Sequence, residues 1–256
     1  MHLLIDIGNS TVVAVISDSE GQMRETWRFK TLKDQRESYF RNELLAGLGK
    51  CRVSLAELDA VIVSSVVPEV NDDIALAITG LTGMTPHFFS ISDARRILDI
   101  DVESPSQIGN DRLADAIGAV CCYGAPVIVF DMGTATTVGV IDGRRTFIGG
   151  MIIPGVKTSL NALSKRASQL PVINIVVPQH VIGRNTIESM QSGIIHGTAA
   201  MIDGIIDRIA ETLDAPATIV ATGGMAKTIV PHCRHDIIRD DFLQFKGILH
   251  VASVGH

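Results

Sequence analysis

The chain has 256 residues, of which 46% are hydrophobic and 20% are charged, and its formal net charge is −6. This length and composition are those of a globular protein with one large domain or two smaller ones. The acidic balance argues against nucleic acid or an anionic membrane as the main partner. No apolar run reaches the roughly 18–20 residues of a membrane helix, so we expect a cytoplasmic protein.

The first part of the chain alternates strand-like and helical patterns, which is typical of an α/β fold. Residues 2–7, 12–17 and 23–30 have the pattern of three consecutive strands joined by short turns, and such a meander predicts a mixed sheet. A helical period follows over residues 39–48, and a buried strand is predicted within residues 59–67.

Residues 99–108 have no clear period and contain a Ser-Pro-Ser run. We place the domain boundary here, with a first domain over residues 1–108 and a second over residues 109–256. Both domains are expected to be α/β.

The second part of the chain repeats the alternation. A helix is predicted over residues 110–122, and the adjacent Cys121 and Cys122 within it are expected to be core thiols. The longest helical stretch covers residues 185–213, and residues 217–226 form a further strand that runs into a Gly-Gly turn.

Two segments of the chain resemble each other. "LIDIGNSTVVAVI" at residues 4–16 matches "VFDMGTATTVGVI" at residues 129–141, with Asp6 on Asp131 and Gly8 on Gly133. Each is an apolar strand that ends in Asp-x-Gly and small hydroxyl residues. The repeated unit is therefore a whole strand-meander module.

Such turns have the chemistry of a phosphate site. Glycine lets the backbone approach a ligand closely, and the small residues after it offer hydroxyls and N–H groups. An aspartate beside phosphates makes sense if a cation lies between them. Two such turns facing each other would clamp a nucleoside triphosphate; the alternative is a pair of ordinary hairpins.

A third cluster, Gly109, Asp111 and Arg112, stands where the aperiodic segment meets a helix. A carboxylate there can accept a proton, and an arginine can bind an anion. The alternative is a plain helix start, with Asn110 as its cap and Asp111 favoured by the helix dipole.

The motifs "DIGNST", "SSVVPEV", "GNDRLADAIGA", "DMGTATT", "GGMIIPG" and "ATGGMA", in this order, resemble type III pantothenate kinase. The resemblance extends over residues 3–249. It implies membership of the acetate kinase/Hsp70/actin superfamily: an α/β fold of two ribonuclease H-like (actin-like ATPase) domains with mixed sheets, and a nucleotide cleft between them.

The resemblance also implies a reaction, in which ATP phosphorylates the terminal hydroxyl of pantothenate to 4'-phosphopantothenate, the first step of coenzyme A synthesis. It implies Mg²⁺ with the ATP, a monovalent cation, K⁺ or NH₄⁺, and a homodimer whose pocket is completed at the subunit interface.

Site residues follow by the same resemblance. Asp6 would hold Mg²⁺ through water, Asp131 would hold the monovalent cation, and Asp111 would be the catalytic proton acceptor. Gly223 and Gly224 fall where the superfamily packs adenosine. Residues implied in ATP binding are Asp6, Ile7, Gly8, Asn9, Ser10, Thr11, Val12, Val13 and Thr134. Residues implied in pantothenate binding are Gly109, Asn110, Asp111, Arg112 and Thr186. Val102 stands where many relatives carry a tyrosine near the substrate.

Two other functions fit part of the pattern. Another kinase or a polyphosphatase of the superfamily would explain both Asp-x-Gly turns but would leave "GNDR" and "SSVVP" unexplained. A non-catalytic regulatory or transcription-accessory relative would be favoured by loss of Asp6, Asp111 or Asp131, and all three are present.

Overall fold

The computed structural model describes residues 1–34 and 36–254, and of residues 252–254 the backbone only. Position 35 of the first predicted domain range and positions 255 and 256 of the second lie outside the described residues. None of the helices in the described part of the chain combines the length and the apolar character needed to span a lipid bilayer.

The strands in chain order are β1 (His2–Ile7), β2 (Thr11–Ser17), β3 (Met23–Lys30), β4 (Ala60–Ser65), β5 (His87–Phe88), β6 (Asp99–Ile100), β7 (Val127–Met132), β8 (Ala135–Ile141), β9 (Thr146–Pro154), β10 (Thr218–Thr222) and β11 (Ile238–Arg239). The helices are α1 (Glu37–Cys51), α2 (Asn71–Thr82), α3 (Ile91–Ala94), α4 (Asn110–Tyr123), α5 (Val156–Arg166), α6 (Thr186–Ala210), α7 (Ala226–Ile229) and α8 (Leu243–Val254).

The strands form two sheets that share one order. The first sheet has the order β3-β2-β1-β4-β5. In it β2 pairs antiparallel with both β1 and β3, and β4 and β5 are parallel to β1. The second runs β11-β10-β7-β8-β9-β6, in which β9-β8-β7-β10-β11 repeats the same order and directions. The predicted mixed α/β class with two ribonuclease H-like modules is thus confirmed.

The chain divides into two compact units. Of the described residues, the first unit contains those within 1–98, 103–121 and 242–254, and the second contains residues 99–102 and 122–241. These units are discontinuous in sequence, because α4 up to Cys121 and all of α8 belong to the first unit. The contiguous ranges 1–108 and 109–256 stay a prediction.

The core of the first unit lies on one face of its sheet. Apolar side chains of β1, β2 and β4 pack there against α1 and α2, which contribute Phe40, Leu44 and Ile74 among others. Because side chains alternate along a strand, Leu4 and Asp6 of β1 point to the opposite face, and α8 packs against β1 and β4.

The second unit has a corresponding core. Ile128 and Phe130 of β7 pack against a row of apolar residues on α6. That row, Ile195, Ala199, Ile202, Ile206 and Ile209, has the spacing of one helix face. The predicted helix over residues 185–213 is therefore confirmed, with its bounds shortened at both ends.

One expectation was wrong. Cys121 and Cys122 are exposed rather than buried, because both lie in the last turn of α4, after the stretch from Leu113 to Val120 that is buried on all sides. The aperiodic segment 99–108 also contains a strand, β6, which pairs in parallel with the edge of β9. A two-residue strand is too short for sequence periodicity to detect.

Candidate active site

The first Asp-x-Gly turn joins β1 to β2. The Gly8 N–H donates to the Thr11 carbonyl at 3.1 Å, which leaves exposed Asn9 and Ser10 at the tip. Thr31 holds this turn from behind, because its hydroxyl donates to the Gly8 carbonyl at 2.7 Å and its N–H to the Ser10 carbonyl at 3.2 Å. Within the described residues, the N–H groups of Asn9 and Ser10 have no such partner. Outward amides beside a glycine form an anion-binding concavity.

Not every residue predicted to bind ATP can contact it through its side chain. Ile7 and Val12 are fully buried in the first core, so they are restricted to contacts through their main chain. Thr11 and Val13 are half-buried.

Asp6 lies at the end of β1, beside Val13 of β2 and Ser64 of β4. Its carboxylate Oδ1 accepts a hydrogen bond from Gln244 Nε2 of α8 at 2.7 Å. The same nitrogen lies 3.4 Å from the Ser64 hydroxyl. Neither Gln244 nor Ser64 had been predicted to belong to the site, although Ser64 lies in the "SSVVPEV" motif and Gln244 within the range that the resemblance covers.

The "GNDR" loop lies at the carboxyl end of β4, next to the strand end that carries Asp6. The Leu113 N–H donates to the Gly109 carbonyl at 3.3 Å, so α4 begins at Asn110. Asn110 is therefore not the cap that one interpretation had proposed. Its amide instead donates to the Ser65 carbonyl at 3.3 Å, which ties the start of α4 to the end of β4.

Asp111 folds back against its own loop. Its Oδ1 accepts from the Arg112 N–H at 2.8 Å, and a Cβ on Gly109 would lie 2.3 Å from that oxygen. Any larger residue at position 109 would therefore force this carboxylate to move. Burial raises the pKa of Asp111, although the N–H and the charge of Arg112 act in the opposite direction. Burial likewise lowers the pKa of Arg112.

The second Asp-x-Gly turn joins β7 to β8 in the second unit. The Gly133 N–H donates to the Ala135 carbonyl at 3.0 Å, so exposed Thr134 stands alone at the tip. This turn is one residue shorter than the first: Asp131 pairs with Thr137, whereas Asp6 pairs with Val13.

This second turn is also held from behind by a threonine. The Thr134 carbonyl accepts from the Thr158 hydroxyl at 2.7 Å and from the Gly155 N–H at 3.2 Å. A Cβ on Gly155 would lie 2.4 Å from the Thr134 carbonyl oxygen. The "GGMIIPG" motif thus supports the turn, a role that had not been assigned to it.

Asp131 lies against the Gly-Gly turn after β10. A Cβ on Gly223, whose φ is +87°, would lie 2.3 Å from Asp131 Oδ1. Both the positive φ and the close approach therefore require glycine at this position. The Met225 N–H donates to the Met132 carbonyl at 3.1 Å and closes the junction.

Thr186 is the first residue of α6 and is exposed. Asn185 caps this helix, with its Oδ1 accepting from the Glu188 N–H at 2.9 Å. The structure thus collects Asp6, the first turn and the "GNDR" loop in the first unit. Asp131, Thr134 and Thr186 belong to the second unit.

Comparison with known proteins identifies close relatives along nearly the whole chain. A family model described as type III pantothenate kinase matches residues 2–208. The type III pantothenate kinase of an Exiguobacterium species is 35% identical over 254 residues, which cover 97% of this chain and 96% of the relative.

Two solved structures share the fold at lower identity. A Baf family transcriptional activator from Campylobacter jejuni has a TM-score of 0.61 at 19% identity, with 98% of each chain covered. The activator of 2-hydroxyisocaproyl-CoA dehydratase from Clostridium difficile, with bound ADPNP, has a TM-score of 0.59 at 14% identity. That match covers 98% of this chain and 92% of the activator.

Proposed function

Since the chain belongs to the type III pantothenate kinase family, its reaction is the ATP-dependent phosphorylation of pantothenate at the start of coenzyme A synthesis, and we propose which residues carry it out. The observation that supports the assignment best is that Asp6 and the Asp111 loop lie together at the carboxyl ends of β1 and β4 in the first unit. There the Asn110–Ser65 hydrogen bond holds the Asp111 loop beside the strand end that carries Asp6.

The first turn binds ATP phosphates in this proposal. The Asn9 and Ser10 amides and the exposed hydroxyls would donate to phosphate oxygens, and Asp6 would hold Mg²⁺ through water. Among the described residues no group of three metal-ligating side chains occurs. A single carboxylate nevertheless suits Mg²⁺, which usually keeps several waters and binds one or two carboxylates plus substrate phosphates. When bound, the ion neutralises charge on the phosphates.

The second turn also binds ATP in this proposal. Thr134 binds ATP through its N–H or hydroxyl, and Asp131 holds a monovalent cation, K⁺ or NH₄⁺. Asp131 suits this role because it lies at the end of β7, directly before the turn that carries Thr134. Gly223 and Gly224 fall at the position expected for adenosine.

Pantothenate is bound by Gly109, Asn110, Asp111, Arg112 and Thr186. Its primary hydroxyl attacks the γ-phosphorus, its proton passes to the Asp111 carboxylate, and ADP leaves. Because phosphoryl transfer requires little covalent help, most of the catalysis comes from placement and charge neutralisation. The raised pKa of Asp111 makes its carboxylate a stronger base than an exposed aspartate. Near Val102, where relatives often carry tyrosine, the pocket differs from theirs.

The chain also acts as a cytoplasmic homodimer in this proposal. Val181 and Ile182 are 66% and 82% exposed, and their segment lies along the beginning of α6, since the Ser192 hydroxyl donates to the Val181 carbonyl. On β9, Ile152 is 69% exposed. Large apolar side chains exposed in this way are typical of an interaction surface.

A substrate panel tests the function. We expect ADP release from ATP to depend on pantothenate and to remain at background with glucose, mannose or acetate. Release with a sugar or acetate instead would favour another kinase of the superfamily. Absence of turnover with every substrate, in a folded protein that binds ATP, would favour the non-catalytic regulatory relative.

A further inference from the structure

The carboxyl-terminal helix contacts the first phosphate turn. Gln244, in the first turn of α8, donates through Nε2 to Asp6 Oδ1 at 2.7 Å and approaches the Ser64 hydroxyl at 3.4 Å. All three residues belong to the first unit. Asp6 and Ser64 are neighbours in the register of β1 and β4, so one amide reaches both strand ends.

Two glycines fix the position of this helix. A Cβ on Gly247 of α8 would lie 1.9 Å from the Ala114 carbonyl oxygen of α4, and a Cβ on Gly118 of α4 would lie 2.2 Å from the Leu243 carbonyl oxygen. The backbones of α4 and α8 therefore touch. Leu243 and Ile248 are fully buried beside the crossing, so the backbone that carries Gln244 is held in place next to Asp6.

The chemistry of the contact is that of an oriented carboxylate. A hydrogen bond to an ionised oxygen at this distance is charge-assisted and stronger than a neutral one. The NH₂ group must face Asp6, because the amide oxygen would repel the carboxylate. Partners of this kind hold a ligating carboxylate in one orientation, and their loss commonly lowers metal affinity or activity by about 10–100-fold.

We propose that Gln244 is a positioning residue, which orients the Asp6 carboxylate for the Mg²⁺-bound phosphates and makes α8 part of the nucleotide site. This inference rests on the proposed role of Asp6. It predicts a defect in nucleotide and metal binding, with pantothenate binding unaffected.

Two variants that keep the length of the side chain test the proposal: Gln244→Met removes the donor, and Gln244→Glu replaces it with an acceptor. His250→Ala, at an exposed position of the same helix, is the matched control. Titration calorimetry with Mg²⁺·ADP should show affinity weakened by roughly 10–100-fold in both variants and unchanged in His250→Ala. The KM for pantothenate should stay within about twofold, because the Asp111 loop is untouched. A purely packing role would leave Gln244→Glu like the wild type, which would overturn the proposal.

A double-mutant cycle with Asp6→Asn separates a failure of the Gln244 inference from a failure of the proposed Mg²⁺ role of Asp6. If Gln244 acts through Asp6, adding Gln244→Met to Asp6→Asn should cause little further loss of Mg²⁺·ADP affinity. A full additive loss would overturn the inference, as would Asp6→Asn weakening Mg²⁺·ADP while both Gln244 variants bind normally. Unchanged affinity in Asp6→Asn would overturn the proposed role of Asp6 and this inference with it. If one Gln244 variant does not fold, the other gives the result.

Discussion

At the scale of single residues, the Asp111 carboxylate is destabilised in its charged form by burial and is held in place by a hydrogen bond from its own loop. Its partial burial disfavours the charged form and raises the pKa, so the fold holds a carboxylate that would be more stable if neutral. A raised pKa strengthens a general base. The N–H of Arg112, 2.8 Å away, keeps the group oriented in spite of that cost.

Asp111→Asn should lower kcat by roughly 10²–10⁴-fold, the usual contribution of a general base. The amide keeps the shape of the side chain but cannot take the proton of the attacking hydroxyl. Steady-state kinetics with varied pantothenate measures this, and the KM for pantothenate should change little. Near-normal kcat with lost pantothenate binding would make Asp111 a substrate ligand instead.

The same substitution should stabilise the protein at neutral pH. Because the folded pKa of Asp111 lies above its unfolded value of about 3.9, the folded state binds more protons between the two values, and wild-type stability falls as pH rises through that window. Urea unfolding at pH 7 should therefore give a larger free energy of unfolding for Asp111→Asn than for the wild type. This difference should disappear near about pH 3.9 and below. An advantage that grows toward low pH would contradict the assigned direction of the shift.

Activity should require K⁺ or NH₄⁺ in addition to Mg²⁺. An unneutralised Asp131 carboxylate beside ATP would repel the phosphates by a few kcal/mol at an effective dielectric constant near 20. Replacing potassium by sodium should therefore reduce the rate of the wild type, and Asp131→Asn should abolish the response to potassium. Asp214→Asn, at an exposed position of the second unit, is the control and should keep it. Full activity in sodium alone would count against the cation site.

At the scale of elements, a threonine holds each phosphate turn by its carbonyl. Thr31, which directly follows β3, does so for the first turn, and Thr158 of α5 for the second. Both threonines follow the third strand of their meander, Thr31 directly after β3 and Thr158 four residues after β9, so this support repeats together with the motif. The strand-end aspartates differ instead, because α8 approaches Asp6 and the Gly223 turn approaches Asp131.

The crossing of α4 and α8 should not tolerate a side chain. Gly247→Ala would place a methyl group 1.9 Å from a carbonyl oxygen, and we expect a loss of about 1–3 kcal/mol or more in the free energy of unfolding. Gly49→Ala is the matched control in α1, where nothing lies within 4 Å of the added Cβ. Because alanine favours helix, it should be neutral or stabilising by up to about 1 kcal/mol. Equal melting temperatures for the two variants would contradict the close crossing.

At the scale of the whole molecule, two units with one strand order account for the repeat in the sequence. Each order places an Asp-x-Gly turn at the end of its central strand, β1 or β7. The second module adds β6 at its edge, and the first recruits α8 from the end of the chain. The repeat is therefore topological, with different additions in each copy.

The protein should be a homodimer in solution, with a mass about twice the chain mass of 27.4 kDa. Sedimentation equilibrium at micromolar concentration measures this. Ile152→Glu, which charges an exposed apolar residue of β9, should weaken the dimer, whereas Leu76→Glu, equally exposed on α2, should not. An active wild-type monomer would refute the homodimer, and an intact Ile152→Glu dimer would move the interface away from β9.

Local patterns in the sequence were sufficient to predict the meanders, the long α6 helix and the positions of both Asp-x-Gly turns. Hydrophobic periodicity and the conformational freedom of glycine depend on only a few neighbouring residues. They also placed Asp111 at a helix start. Gln244, Thr31 and the glycine contacts of the α4–α8 crossing became visible only in the tertiary structure. Contacts between residues distant in sequence depend on how whole elements pack, and no local periodicity encodes them.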